Sequence, residues 1–250
     1  MDTLGMANGQ DMPHQAGEPT DQLTLGLALD DSAVFANYFP CDGNALALAK
    51  LTSVGLDGKG ADFIFLWGEG SPGLTHLLQA TCHQSAALGL ASFYLSLQEV
   101  DQLTPDVIEG LESLEVICLD DLDAVAGLAE WETALFTLFN KIKEAGNTLV
   151  IASRLTPTNL PVILPDLKSR LQSGLTLQVH ELTDEQKRDA LIMRARMRGM
   201  EMSPAVGEYI LARAERGLPA LLKLLDRLDA STIKQQRLLT IPLVKSTLGW

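Results

Sequence analysis

The 250 residues are 46% apolar and 20% charged, enough apolar material for one or two cored domains. Cys41, Cys82 and Cys118 form no C-x-x-C pair, which excludes a disulfide scaffold and a zinc ribbon and suits free thiols in a reducing cytoplasm. The net charge of −13 is split unevenly. Residues 1–140 carry two basic residues, Lys50 and Lys59, against 21 acidic ones, and residues 141–250 carry 17 basic against 11 acidic. The acidic half argues against direct wrapping of nucleic acid. No stretch approaches the ~20 apolar residues of a membrane span, and the first residues show neither region of a secretory signal. A cytoplasmic location away from membranes is expected.

In chain order, residues 1–20 are rich in Gly, Pro, Asp, Gln and Asn and read as a disordered tail. Gln22-Leu-Thr-Leu-Gly-Leu27 alternates polar and apolar residues and leads into Asp30-Asp31. By pattern it is an edge strand or a folded-back segment; a glutamine with spaced leucines also suits an extended peptide docked in an apolar groove. The run Phe63–Trp67 is continuously apolar, as a buried parallel strand should be. Further strands are predicted over Ser92–Leu97, Glu115–Leu119, Thr148–Ala152 and Leu175–Val179. Helices are predicted from Thr75 to about Leu88 and over Glu130–Ala145, the second with Trp131, Leu135, Leu138, Phe139 and Ile142 near a 3.6-residue period and Gly146 as its stop. Strands separated by helices predict a parallel sheet covered on both faces. After residue 180 only helices are expected: one opened by the capping box Thr183–Gln186, one from Ser203-Pro204 to Gly217, one from Pro219 to about Gln236, and one from Thr240. The expected division is a tail over 1–31, an α/β nucleotide-binding domain over 32–180 and a lid over 181–250.

The chemistry centres on Gly68-Glu-Gly-Ser-Pro-Gly-Leu-Thr75. It lies between a strand and a helix, as the phosphate-loop pattern G-x-x-x-x-G-K-[ST] requires, and Gly68, Gly73 and Thr75 fall on that pattern. The candidate nucleotide-binding residues are Gly68, Gly70, Ser71, Pro72, Gly73, Leu74, Thr75 and His76. Leu74 replaces the lysine. Loop amides and the helix N-terminus can still cradle phosphates, but a charge-assisted bond of about 1.5–3 kcal/mol is lost. The expected cofactor is therefore ADP or another nucleoside diphosphate, with little or no ATP turnover by the chain itself. Asp120 ends a predicted strand and, with Thr75, would hold any accompanying Mg²⁺; Asp121 sits where a second acid can polarise water. The order of elements resembles AAA+ proteins, and that resemblance implies a phosphate sensor at Arg154, after Ser153, and a second sensor arginine near the position that Pro219 occupies here. Arg170 precedes the last strand, and the pattern alone reads it as a surface cation.

A doubly wound domain followed by a helical lid is similar to the AAA+ P-loop architecture: α/β, a parallel five-stranded sheet flanked by helices, then a small all-α lid. A series of marks resembles the Hda family more closely, the AAA+ homologues of DnaA in bacterial replication control. These are Gln22–Leu27, Phe35–Pro40, Leu66-Trp67, Thr75–Leu78, Ile117–Asp121, Ala126-Gly127, Trp131-Glu132, Leu164–Leu167, Ser169–Leu171, Arg194–Arg196, Arg198-Gly199 and Gln236–Pro242. The resemblance covers about residues 21–248. It implies an activator rather than an autonomous enzyme: a protein holding ADP, whose partners are DnaA and the DNA-loaded sliding clamp (the polymerase β subunit). Gln22, Leu23, Leu25 and Leu27 would bind the clamp, and Arg170 would act in trans as an arginine finger on ATP held by DnaA, preventing re-initiation. Contact with DNA would be mainly indirect, through the clamp, and a homo-oligomer stays open. Gly26 stands where the clamp peptide more often has proline. An autonomous AAA+ ATPase and a clamp-bound scaffold are the rival readings.

Overall fold

The computed structural model describes residues 29–56, 62–98, 103–215, 217–232 and 238–250. The expected clamp-binding residues Gln22, Leu23, Leu25 and Leu27 lie outside them, as do Arg216 and Gln236. The described chain opens with α1 (Ala45–Thr52) and proceeds through β1 (Phe63–Trp67), α2 (Leu74–Ala87), β2 (Ser92–Ser96), β3 (Val116–Asp120), α3 (Ala129–Ala145), β4 (Thr148–Ser153), α4 (Pro165–Ser173) and β5 (Leu175–Gln178). The five strands form one parallel sheet in the order β2-β3-β4-β1-β5.

Each central strand is continuously apolar because both faces are covered. Ile64 and Leu66 of β1, Val116 and Cys118 of β3, and Val150 and Ala152 of β4 pack with Leu77, Leu78 and Cys82 of α2 and Leu51 of α1. Their neighbours Phe65, Ile117, Leu119, Leu149 and Ile151 point to the opposite side, where α3 presents Trp131, Leu135, Leu138, Phe139 and Ile142, and α4 presents Leu167 and Leu171. The five α3 positions picked out by periodicity are all buried. Gly146 ends α3 at φ +76°, its N–H donating to the carbonyls of Ile142 and Lys143.

The remaining helices are α5 (Asp184–Met197), α6 (Pro204–Leu211), α7 (Leu218–Thr232) and α8 (Ile241–Leu248). They have their own core, with Leu191, Ala195, Val206, Ile210, Leu221, Leu225 and Val244 among its members. The capping box at the start of α5 forms as expected, Thr183 Oγ1 accepting from Gln186 N–H and Gln186 Oε1 from Thr183 N–H. Two details depart from expectation. The helix after Ser203 stops at Leu211 and continues as turns. A parallel pair, β6 (Glu201–Met202) with β7 (Leu238–Leu239), also crosses the lid; two residues per strand are too few to register a period of two. Among the described residues no helix is long and apolar enough to cross a membrane.

One buried acid shapes the surface near α4. Glu132, 1% exposed, accepts from Gly127 N–H at 2.8 Å, Ile163 N–H at 3.0 Å and Leu164 N–H at 2.6 Å. These amides belong to two loops, one leading into α3 and the other into α4. Glu132→Ala leaves buried donors unpaired, each worth about 1–3 kcal/mol. We expect a loss of about 2–4 kcal/mol in urea unfolding, with a loosened start to α4; a loss under about 1 kcal/mol would show that the loops hold themselves.

Candidate nucleotide site

The loop after β1 and the acid ending β3 reach the carboxyl edge of the sheet on either side of β4, where α/β folds bind ligands. Gly70 (φ +74°) and Gly73 (φ +91°) adopt backbone conformations that side chains resist. At Gly68 a Cβ would strike the Val179 carbonyl, so the loop packs directly against the exit of β5. Gly73 caps α2, leaving the helix N-terminus open toward the loop. Leu74 is buried in the α2 face of the core and carries no charge into the site.

Thr75 Oγ1 donates to Asp120 Oδ2 at 2.6 Å, and Tyr94 OH donates to the same oxygen at 3.1 Å. Burial pushes the Asp120 carboxyl above the ordinary carboxylate range; the Thr75 hydrogen bond opposes the rise and the neighbouring Asp121 charge adds to it. Burial and the Asp120 charge push the Tyr94 phenol up in turn. Asp121, at φ +54°, accepts from Ser96 Oγ at 2.9 Å. Thr75 and Asp120 are the oxygen donors that would hold a Mg²⁺ ion accompanying a bound phosphate. Here the two are bonded to each other. Among the described residues no group of three His, Cys, Asp or Glu is placed to hold a metal.

Arg154 lines the cavity but is engaged. Asp123 accepts from Ser153 Oγ and Arg154 N–H at 3.0 Å each, and the guanidinium lies 3.4 Å from its other oxygen. The predicted sensor is thus aligned through Asp123, a residue the sequence reading passed over. Pro219 lines the same cavity from the lid and brings no charge to it.

The cavity measures about 530 Å³ and lies between the sheet edge and the lid. Its apolar lining includes Tyr38, Phe39, Leu182, Met193 and Leu222. Tyr38 is held over the loop: its OH donates to the Pro72 carbonyl at 3.3 Å and accepts from Asn44 Nδ2 at 3.0 Å, and burial pushes its phenol up to about 12. Asn44 also pairs with the backbone of His180. The segment 29–38 straps across α2. Asp30 N–H donates to Gln79 Oε1, His76 Nε2–H to the Val34 carbonyl, and Arg194 of α5 to the Asn37 carbonyl at 3.2 Å. Burial holds the His76 imidazole below its ordinary pKa, so it sits there neutral. Tyr38, Asn44, Tyr94, Asp123 and Arg194 had no motif to announce them, although Tyr38 and Arg194 fall inside segments that carried the family resemblance.

Arg170 stands apart from this cavity. On α4 it is half-buried, its guanidinium carbon 5.9 Å from the centroid of the Phe139 ring, which packs edge-on against Phe63. Among the described residues no carboxylate lies within ion-pairing distance of it.

Residues 29–178 match the bacterial DnaA ATPase-domain family, and residues 184–248 match the Hda lid domain. The chain belongs to the DnaA ATPase-domain family and carries the Hda lid. It is similar to domain III of the replication initiation protein DnaA from Thermotoga maritima, at 20% identity and TM-score 0.72, covering 89% of this chain and 98% of that one. It is similar also to AMPPCP-bound DnaA from Aquifex aeolicus (21%, TM-score 0.68, 79% of this chain and 65% of that one), and to the T. maritima RuvB Holliday junction branch migration motor (20%, 0.62, 86% and 72%). The five-stranded sheet and helical lid of this Hda-family chain are therefore the AAA+ fold in its DnaA form, and the chain is a DnaA-related replication regulator.

The Asp120 site has a pH signature. Its folded-state pKa lies above the unfolded value of 3.8, so the folded form holds the proton more tightly and stability falls as pH rises from there through the folded value. Asp120→Asn should raise Tm at pH 7 by about 2–4 °C, with the gain vanishing below about pH 4. A lower Tm at pH 7 would mean that the bonds from Thr75 and Tyr94 outweigh desolvation.

Proposed function

We propose that this protein restrains replication initiation by binding the DNA-loaded sliding clamp and completing, with Arg170, the hydrolysis of ATP held by DnaA. The reading takes 32–180 as the nucleotide-binding unit, 181–250 as the lid, and the tail with Gln22, Leu23, Leu25 and Leu27 as the clamp tether, in the cytoplasm. The observation that carries it is the state of Arg170. A half-buried guanidinium with no carboxylate partner among the described residues, outside its own cavity, is available to an anion on another molecule. An arginine finger supplied in trans is worth about 10³–10⁵ in rate, and the clamp tether would raise its local concentration.

The chain's own pocket is read as a holder of ADP rather than a motor. With Leu74 in the loop and Pro219 on the lid, two positions expected to place cations on a γ-phosphate do not. Leu74→Lys should tighten ATP binding about tenfold or more, on the scale of one charge-assisted bond, measured by calorimetry. An autonomous motor would instead show steady ATPase activity in the isolated wild-type chain.

The decisive experiment is hydrolysis of DnaA-bound ATP in the presence of clamp-loaded DNA. Arg170→Ala should bring the rate down toward the basal level of DnaA while clamp binding is retained. Gln22→Ala with Leu25→Ala should abolish clamp binding without changing Tm. Full stimulation by the Arg170 variant would overturn the finger assignment, and no stimulation by the wild-type protein would favour the clamp-bound scaffold.

A further inference from the structure

We propose that Lys187, on the lid, is the cation that meets the ligand's phosphates, and that Glu181 occupies it until a phosphate arrives. This rests on the nucleotide reading above and assigns the charge missing from the loop. Among the described residues, three cations line the cavity: Arg154, Arg194 and Lys187. Arg154 is taken by Asp123, and Arg194 bonds the Asn37 carbonyl in the strap. Lys187 Nζ donates to Glu181 Oε1 at 2.8 Å. The other oxygen of that carboxylate lies against the phosphate loop, so close that a Cβ on Gly70 would fall 2.5 Å from it. The ammonium thus stands one carboxylate away from the loop that would cradle phosphate.

The two partners differ in burial. The Lys187 side chain is 7% exposed and Glu181 39%. Glu181 can turn into water at little cost, whereas Lys187 cannot leave without losing its packing, nor stay unpaired without a large desolvation penalty. A phosphate seated at Gly70 would face the Glu181 carboxylate at short range, like charge against like. It relieves that repulsion by displacing the carboxylate and taking over its lysine, a stronger acceptor in the same place. Binding is then an exchange of anions on one buried cation. It favours ligands carrying phosphate over the bare nucleoside.

The test is calorimetric titration of ADP and of adenosine into wild type, Glu181→Gln and Lys187→Met. Glu181→Gln should tighten ADP about three- to tenfold, and Lys187→Met should weaken it about tenfold, with adenosine unchanged in both. Equal changes for ADP and adenosine would mean a merely structural pair and overturn the proposal, as would unchanged or weaker ADP binding by Glu181→Gln. If Lys187→Met fails to fold, the exposed Glu181 variant decides alone. If ADP binds and neither variant alters it, the exchange is wrong while the nucleotide reading stands. If neither wild type nor Leu74→Lys binds ADP or ATP, both fall.

Discussion

The 2.6 Å hydrogen bond from Thr75 to Asp120 joins the first turn of α2 to the end of β3 across the tip of β4. Parallel pairing in the order β3-β4-β1 makes it possible, because it brings two segments 45 residues apart in sequence to one edge of the sheet. The loop, the Tyr94 phenol, the strained Asp121 turn and the Asp123–Ser153 contact all arrange themselves around it. An acid kept in low dielectric and bonded only to hydroxyls and its neighbour's amide is costly for stability. Such a cost is common where a fold holds groups ready for a ligand.

The sheet and the helices facing it were legible because both obey strong periodicities. A run such as Phe63–Trp67 has few alternatives to a buried strand, and the spacing of Trp131 to Ile142 has few alternatives to a helix. The phosphate-loop pattern was legible because two of its positions demand glycine, Gly68 by its close approach to the Val179 carbonyl and Gly73 by its positive φ. The pairing of Thr75 with Asp120 could be inferred from their places at the ends of elements. What stayed hidden was contact between segments with no pattern of their own. Glu132 appeared only in the family-like pair Trp131-Glu132, and its position against Ile163 and Leu164 is what gives it its role. Lys187 and Glu181 lie on or beside a capping box and belong to no motif. The short β6–β7 pair escaped because two residues carry no period.

The departures at Leu74 and Pro219 have a common electrostatic sense. Neither brings a positive charge to the cavity, whose lining includes the apolar side chains of Tyr38, Phe39 and Met193. On the proposed reading, such a cavity would hold a nucleotide without the groups that stabilise charge on a leaving γ-phosphate. Arg170 lies outside that lining, its guanidinium near the Phe139 ring on the side of the sheet away from α2.

The lid has a core of its own, and Arg194 of α5 reaches from it to the Asn37 carbonyl of the segment strapped across α2. One cavity is lined from both sides, by Thr75 and Asp120 at the sheet edge and by Met193 and Leu222 of the lid. A ligand filling it would touch both cores at once, so its binding energy would count toward holding the two together.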